Sequence, residues 1–198
     1  MPFSEESIAR LKQSFVAATA GGAFADTFYD RLFVVDPSLR EQFIHVDMRA
    51  QGAMIEQSVR LVLDHLGNLA TALPVIESLG YRHRNYGVKP EHYQSAAAAF
   101  LQALEKLAPQ EFDAQARAGW TTALGILAQA MIDGGEKLYQ ARRDRVENFT
   151  HLQADDDYVD PYVAKFFPSH PQGEGGAEGY DFSADLPSAI RVDFIGDK

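Results

Sequence analysis

His83 is the residue of this sequence with the clearest potential for chemistry at a metal. It lies in the segment LGYRHRNYGVKPEHY, residues 79–93, just before a Gly-Val-Lys-Pro turn that would end a helix. The chain has no cysteine, which excludes thiolate metal sites, so a metal must be held by histidine, by carboxylate or within a cofactor. No two histidines stand at metal-binding spacing on one helix. His83 would therefore act as a lone imidazole ligand, or simply as a surface or capping residue.

Tyr29 and Gln51 are polar residues beside apolar helix positions. Gln51 lies one turn before Ile55, at the end of an apolar stripe, and Tyr29 follows Phe28. A phenol hydroxyl and a carboxamide can donate hydrogen bonds to a small ligand in an apolar pocket. The alternative interpretations are an ordinary core tyrosine with its hydroxyl at the edge and an exposed helix glutamine.

Helices must position these residues, because apolar residues recur at steps of three and four throughout residues 1–150 and strand alternation is not seen there. Ser4 can cap a first helix that Gly21-Gly22 ends. The other helices are expected at about Ala23–Val35, Met48–Leu66, Leu73–His83, Pro90–Leu107 and Phe112–Arg143, the last broken by Gly134-Gly135. The fold class is therefore all-α.

Charge and composition limit the partners and divide the chain. The formal net charge of −10 argues against nucleic acid as a partner, since such binding needs a cationic surface. No uncharged apolar run is long enough for a membrane span, and the acidic start is unlike a signal peptide, so we expect a cytoplasmic protein without membrane contact. Residues 150–198 form an acidic, Gly- and Pro-containing C-terminal extension, expected to be partly docked or disordered, after a domain at 1–149.

Three features together resemble a known family. They are the stretch FYDRLF at Phe28–Phe33 followed by Asp36-Pro37 and Phe43, the spacing of 32 residues between Gln51 and His83, and the GVKPEHY turn. With Trp120 near the start of the last helix, they resemble the globin domain of flavohaemoglobins and the Vitreoscilla-type bacterial globins over about residues 5–145. The resemblance implies a globin fold, with helices packed around a pocket for haem b (iron protoporphyrin IX).

The resemblance also implies a role for each candidate residue. His83 would be the proximal ligand of the iron, while Tyr29 and Gln51 would stabilise a diatomic ligand on the distal face. The other cofactor-binding positions would be Phe43 against the haem ring, Ile55 in the distal wall, and Leu79, Val88 and Tyr93 on the proximal side. His45, two residues after Phe43, is the competing histidine that could reach the iron, although a solvated loop position is the simpler interpretation.

One position departs from the family pattern. In flavohaemoglobins a tyrosine and a glutamate polarise the proximal histidine. Tyr93 stands ten residues after His83 as in that family, but the place of the glutamate falls on Gly135, with Glu136 one residue late. One residue turns a side chain by about 100° around a helix, so this polarisation is in doubt.

The resemblance implies reversible binding of dioxygen and of other diatomic ligands such as nitric oxide or carbon monoxide. It also suggests oxidation of nitric oxide to nitrate, with electrons from a separate reductase, because 49 residues after the globin region are too few for flavin and nicotinamide domains. One alternative is a haem-based gas sensor or adaptor that signals through the C-terminal extension. Another is a globin fold without haem that serves as an interaction module. The sequence does not set the oligomeric state.

Overall fold

The computed structural model describes residues 3–148, with side chains described as far as residue 143. Every regular element in this part of the chain is helical, which confirms the all-α prediction. The α-helices are α1 (Glu5–Thr19), α2 (Phe24–Val35), α3 (Met48–His65), α4 (Leu69–Asn85), α5 (Pro90–Leu107) and α6 (Ala114–Asn148). Two 3-10 segments, Pro37–Phe43 and Leu66–Asn68, lie before α3 and α4. Residues Met1–Leu138 form one compact unit, which contains all the contacts described below.

An aromatic cluster on four helices forms the centre of the core. Phe15 of α1, Phe24 of α2, Phe100 of α5 and Trp120 of α6 are all buried, with ring centroids 4.9–6.2 Å apart where they meet. The indole Nε1 of Trp120 donates a hydrogen bond of 2.9 Å to the Ser14 hydroxyl, so its polar atom is satisfied inside the core. The apolar faces of these four helices therefore meet around one centre.

The helix that carries His83 begins earlier than the sequence predicts. The expected start was Leu73, because proline is favoured in the first turn of a helix, but α4 begins at Leu69 and contains Pro74. A proline inside a helix removes the hydrogen bond to the carbonyl four residues before it. Here that carbonyl belongs to Ala70, which is exposed and can be hydrated instead.

The glycine pair in α6 does not break the helix, contrary to the prediction. A Cβ added at Gly134 would lie 2.6 Å from the Glu77 Cα, and one added at Gly135 would lie 2.8 Å from the Gly80 carbonyl carbon. A Cβ at Gly80 would in turn overlap the Met131 carbonyl group. These residues allow the backbones of α4 and α6 to touch, and we call this the α4–α6 glycine contact.

One stretch, Met48–Asn85, is long and apolar enough to cross a membrane by length and composition, with a mean hydropathy of 1.2 over its best window. It was not expected from the sequence. The stretch comprises α3, a 3-10 turn and α4, and these two helices pack against each other. Buried helices of a globular core pass the same test, so the finding is weak evidence for a membrane span.

Candidate functional site

Tyr29 and Gln51 come together across α2 and α3. Tyr29 is 6% exposed, and the side chain of Gln51 lies close enough to lower the pKa of its phenol. The Tyr29 ring packs at centroid distances of 4.9, 6.2 and 5.4 Å on Phe28, Phe33 and Phe43 respectively. The pair is thus a polar group surrounded by aromatic rings, as the distal roles predicted from the sequence require.

Burial raises the pKa of Tyr29 to about 12, and the nearby side chain of Gln51 opposes that rise. The phenol is therefore neutral throughout the physiological pH range, and it keeps a proton that it can donate.

Gln51 is held by the first turn of α3. The Asp47 carboxylate caps this helix by accepting hydrogen bonds from the backbone N–H groups of Arg49 and Ala50, at 2.9 and 3.2 Å. The next residue, Gly52, is buried, and a Cβ there would lie only 2.8 Å from the Ala25 Cβ. Because Ala25 stands one turn before Tyr29, this close approach of α2 and α3 brings Gln51 within reach of the phenol.

On the proximal side, His83 has the geometry of a neutral imidazole ligand. Its Nδ1 lies 2.8 Å from the carbonyl oxygen of Leu79, one turn earlier in α4. When Nδ1–H donates to this carbonyl, the lone pair of Nε2 is left to bind a metal. Burial lowers the pKa of His83, which also favours the neutral form that a metal requires.

The turn after α4 fixes the end of the helix that carries His83. The Val88 N–H donates to the His83 carbonyl at 2.9 Å and the Gly87 N–H donates to the Arg84 carbonyl at 3.0 Å, which is a Schellman motif. Gly87 has a φ of 81°, a conformation that L side chains rarely adopt. The Gly-Val-Lys-Pro sequence therefore anchors the proximal helix and places Val88 beside it.

Tyr93 of α5 stacks on the His83 imidazole, with ring centroids 6.1 Å apart at an angle of 30°. Burial raises the pKa of Tyr93 to about 12. Leu79 and Tyr93 both pack against a second buried cluster that includes Ile76 and Met131. Three of the predicted proximal residues, Leu79, His83 and Tyr93, are therefore assembled in one place.

The remaining predicted pocket residues belong to the main core. Phe43 and Ile55 are partly buried and pack against it, and the same core includes Tyr29. A separate apolar cavity of about 130 Å³ lies between the end of α3, the start of α4 and α6. None of the predicted site residues lines it.

The α4–α6 glycine contact explains why Gly135 stands where the flavohaemoglobin pattern has a glutamate. At Gly135 the backbone of α4 is so close that a side chain would collide with Gly80. Glu136 forms an exposed ion pair with Arg84, whose Nε donates to the carboxylate at 3.1 Å. The residue type of the flavohaemoglobins does not fit at Gly135 in this packing.

The other described histidines have ordinary structural roles. His45 is exposed, His65 Nδ1 lies 2.8 Å from the Leu61 carbonyl oxygen, and His92 Nδ1 accepts a hydrogen bond from the Lys89 N–H that begins α5. No group of three His, Cys, Asp or Glu side chains between residues 3 and 143 could hold a metal ion by itself. A metal at His83 would need its other ligands from a cofactor, and a porphyrin supplies four nitrogens. The donor set thus fits haem.

Comparison with known proteins identifies the family. A model of the family described as Globin matches residues 26–131, more than half of the chain and all of the residues of the candidate site. The chain belongs to the globin family. Membership implies haem as the cofactor and gaseous ligands such as dioxygen, and it confirms the resemblance found in the sequence.

The most similar curated relatives of this globin include flavohemoproteins. That of Vibrio cholerae is 32% identical over 127 residues, covering 63% of this chain and 32% of the relative. That of Bacillus subtilis is 25% identical over 127 residues with the same coverage. The chain therefore spans about a third of the length of these relatives.

Two solved structures share the globin fold. A bacterial globin from Campylobacter jejuni has a TM-score of 0.61 at 24% identity, covering 69% of this chain and 99% of that one. A Pseudomonas aeruginosa protein described as highly homologous in structure to human haemoglobin has a TM-score of 0.59 at 23% identity, covering 65% and 97%. At these identities the likeness concerns the fold alone.

Sequence reasoning missed three positioning elements of this globin. They are the Asp47 cap, the Gly52 contact with Ala25, and Gly80 in the α4–α6 glycine contact. A signal existed for the glycines, because a glycine inside a helix costs about 1 kcal/mol relative to alanine and usually has a packing reason. What each glycine touches required the structure.

Proposed function

We propose that this globin binds haem b through His83 and reversibly binds dioxygen, and other diatomic ligands, beneath Tyr29 and Gln51. The observation that carries the proposal is the buried Tyr29 phenol, which packs among aromatic side chains with Gln51 beside it. Burying a phenol and an amide in an apolar pocket is costly unless their polar atoms are used. A polar diatomic ligand would use the remaining donor.

When bound, haem supplies an iron centre that binds diatomic gases and exchanges single electrons. On the proximal side His83 anchors it through Nε2, while the Leu79 carbonyl holds the Nδ1 proton and fixes the plane of the imidazole. Stacking on Tyr93 further limits rotation of that ring. Leu79 and Val88 would contact the porphyrin on this side.

On the distal side the Tyr29 hydroxyl would donate to the bound dioxygen, since burial keeps the phenol neutral. Gln51, beside the phenol, would orient this hydroxyl. Phe43 would pack on the edge of the ring and Ile55 would form the apolar wall that excludes water from the ligand. Two ordered polar groups in a dry pocket favour slow dioxygen release.

We further propose that the oxygenated globin oxidises nitric oxide. The overall reaction joins nitric oxide, dioxygen and one electron to give nitrate, with the electron supplied by a separate reductase. The contribution of the chain is to hold dioxygen at Tyr29 and to keep the pocket dry while nitric oxide enters. The flavohemoprotein relatives support this proposal through their similarity over the globin region.

The haem assignment is tested with visible spectra of the ferric, ferrous and carbon monoxide forms. We expect a Soret band that is lost in His83→Ala and restored there by added imidazole. His45→Ala is the matched control, since His45 is exposed, and should keep the wild-type spectrum. A ferrous spectrum that becomes five-coordinate only in His45→Ala would show that His45, not a gas, occupies the distal position at rest.

The dioxygenase proposal has its own experiment. Oxygenated protein is mixed with nitric oxide in a stopped-flow instrument, and nitrate is measured. We expect rapid, stoichiometric nitrate formation that is slower in Tyr29→Phe. A rate no greater than that of an ordinary oxygen-storage globin, with normal dioxygen binding, would overturn the dioxygenase role and leave the binding role intact.

A further inference from the structure

The proximal helix of this globin touches α6 through its backbone. Gly80 of α4 lies against the Met131 carbonyl group, and Gly135 of α6 lies against the carbonyl of Gly80 and the N–H of Tyr81. A Cβ at Gly135 would be 2.8 Å from the Gly80 carbonyl carbon and oxygen and 3.1 Å from the Tyr81 nitrogen. Gly80 and Tyr81 are both buried, so neither helix can yield into solvent at this point.

The contact lies within the turn of α4 that holds His83. Gly80 directly follows Leu79, whose carbonyl accepts the hydrogen bond from His83 Nδ1, and it precedes His83 by three residues. A rigid helix transmits a displacement at Gly80 to the Leu79 carbonyl and to His83 together. The distance between α4 and α6 at Gly80 therefore determines the position of the His83 imidazole.

Side chains reinforce the same contact one turn earlier. Gly134 packs on the backbone and side chain of Glu77, and the Lys137 ammonium lies 3.3 Å from the Glu77 carboxylate. The α4–α6 glycine contact thus extends along two turns of α6. On the opposite side, the turn at Gly87 fixes the end of α4.

We propose that Gly80 and Gly135 are positioning residues that set the distance and tilt at which His83 binds the haem iron. The proposal rests on the proposed ligation by His83. In this proposal the packing of the α4 and α6 backbones controls the iron–histidine bond. The contact includes Gly135, which occupies the position where the flavohaemoglobin pattern has a glutamate.

The test compares Gly135→Ala with Gly125→Ala. Both are glycine to alanine changes in α6, but a Cβ at Gly125 meets nothing within 4 Å, so that variant controls for helix propensity. The Gly135 methyl group must move α4 by roughly half an ångström to reach an ordinary contact of 3.4 Å. The readout is the iron–histidine stretching band in the resonance Raman spectrum of the carbon monoxide photoproduct.

We expect a shifted band in Gly135→Ala, and an unshifted band in Gly125→Ala. Loss of haem to apomyoglobin should be about tenfold faster in Gly135→Ala than in the control, a change of about 1.4 kcal/mol, because overpacking at this contact strains the helix that carries His83. Gly80→Ala, with a more severe overlap, should show a larger effect or fail to fold. The milder Gly135→Ala variant keeps the proposal testable in that case.

A tether experiment separates positioning from general distortion. In His83→Gly with added imidazole, the ligand is no longer attached to α4. Adding Gly135→Ala to this background should leave the iron–imidazole band unchanged if the glycine acts through His83. A band shifted equally with tethered and free imidazole would overturn the positioning role.

The outcomes distinguish this inference from the proposed function. Absence of haem, or a Soret band that survives His83→Ala unchanged, would refute ligation by His83. Normal ligation with the same band in Gly135→Ala and Gly125→Ala would refute only the positioning role.

Discussion

Replacing Tyr29 with phenylalanine removes one oxygen atom and leaves the ring in place among Phe28, Phe33 and Phe43. The variant should keep haem, because the atoms that bind His83 are unchanged. It should lose the hydrogen bond from the phenol to dioxygen. A bond to a neutral partner contributes 0.5–1.5 kcal/mol and one to a charged partner 1.5–3 kcal/mol, so a partly charged dioxygen places the loss at about 1–2 kcal/mol. That corresponds to dioxygen dissociation about 5 to 30 times faster.

The assay is the rate of dioxygen displacement by carbon monoxide, followed at the Soret band in a stopped-flow instrument. Tyr86→Phe is the matched control, since it also removes a phenol oxygen, but from an exposed ring outside the candidate site. We expect its dissociation rate to stay within about twofold of the wild type. Carbon monoxide, a weaker acceptor, should respond less than dioxygen to Tyr29→Phe.

The role of Gln51 follows from a double-mutant cycle. If Gln51 acts by orienting the Tyr29 hydroxyl, Gln51→Leu should accelerate dioxygen release, and adding it to Tyr29→Phe should change little further. Additive effects would mean that both side chains donate to the ligand independently. A Tyr29→Phe variant with normal haem content and an unchanged dioxygen dissociation rate would refute the distal assignment.

Three further changes test the packing and the electrostatics. Ser14→Ala should lower the free energy of unfolding by about 1–3 kcal/mol in urea melts, because the buried indole N–H of Trp120 loses its acceptor. Gly87→Ala should cost about 1–2 kcal/mol in the same melts, since φ is 81° at that residue. Folding favours the neutral over the ionised phenol at Tyr29 and Tyr93, because burial raises both pKa values from the ordinary 10.0 to about 12. The contribution of these neutral phenols to the free energy of unfolding is complete below pH 10 and should be lost as the pH rises towards about 12. In melts made across this range, Tyr29→Phe should lose less stability than the wild type.

The helices could be predicted from the sequence because their apolar stripes and caps are local signals. The start of α4 could not, since Pro74 reads as a first-turn proline and only the exposure of Ala70 shows why an earlier start is tolerated. The continuity of α6 was missed for a similar reason. Gly134-Gly135 resembles a break until the backbone of α4 is seen against it.

Some parts of the candidate site could be predicted from the sequence and others could not. The bond from His83 to the Leu79 carbonyl joins residues four apart in a helix, so it follows from local geometry. Tyr29 and Gln51 are 22 residues apart in the chain and lie on two different helices, and only the family resemblance suggested that they pair. That Gln51 lies close enough to affect the pKa of Tyr29 required the packed structure. The predictions for the acidic extension at residues 150–198 lie outside the described part of the chain.

The close approach of Gly52 to Ala25 bears on the entropy of ligand binding. Immobilising a glutamine side chain costs up to about 2 kcal/mol in rotamer freedom. Because α2 and α3 already touch at this point and the side chain of Gln51 lies beside Tyr29, much of this freedom is lost when the protein folds, before any gas enters the pocket. Binding of a ligand then does not need to order this side chain, as in other preorganised sites.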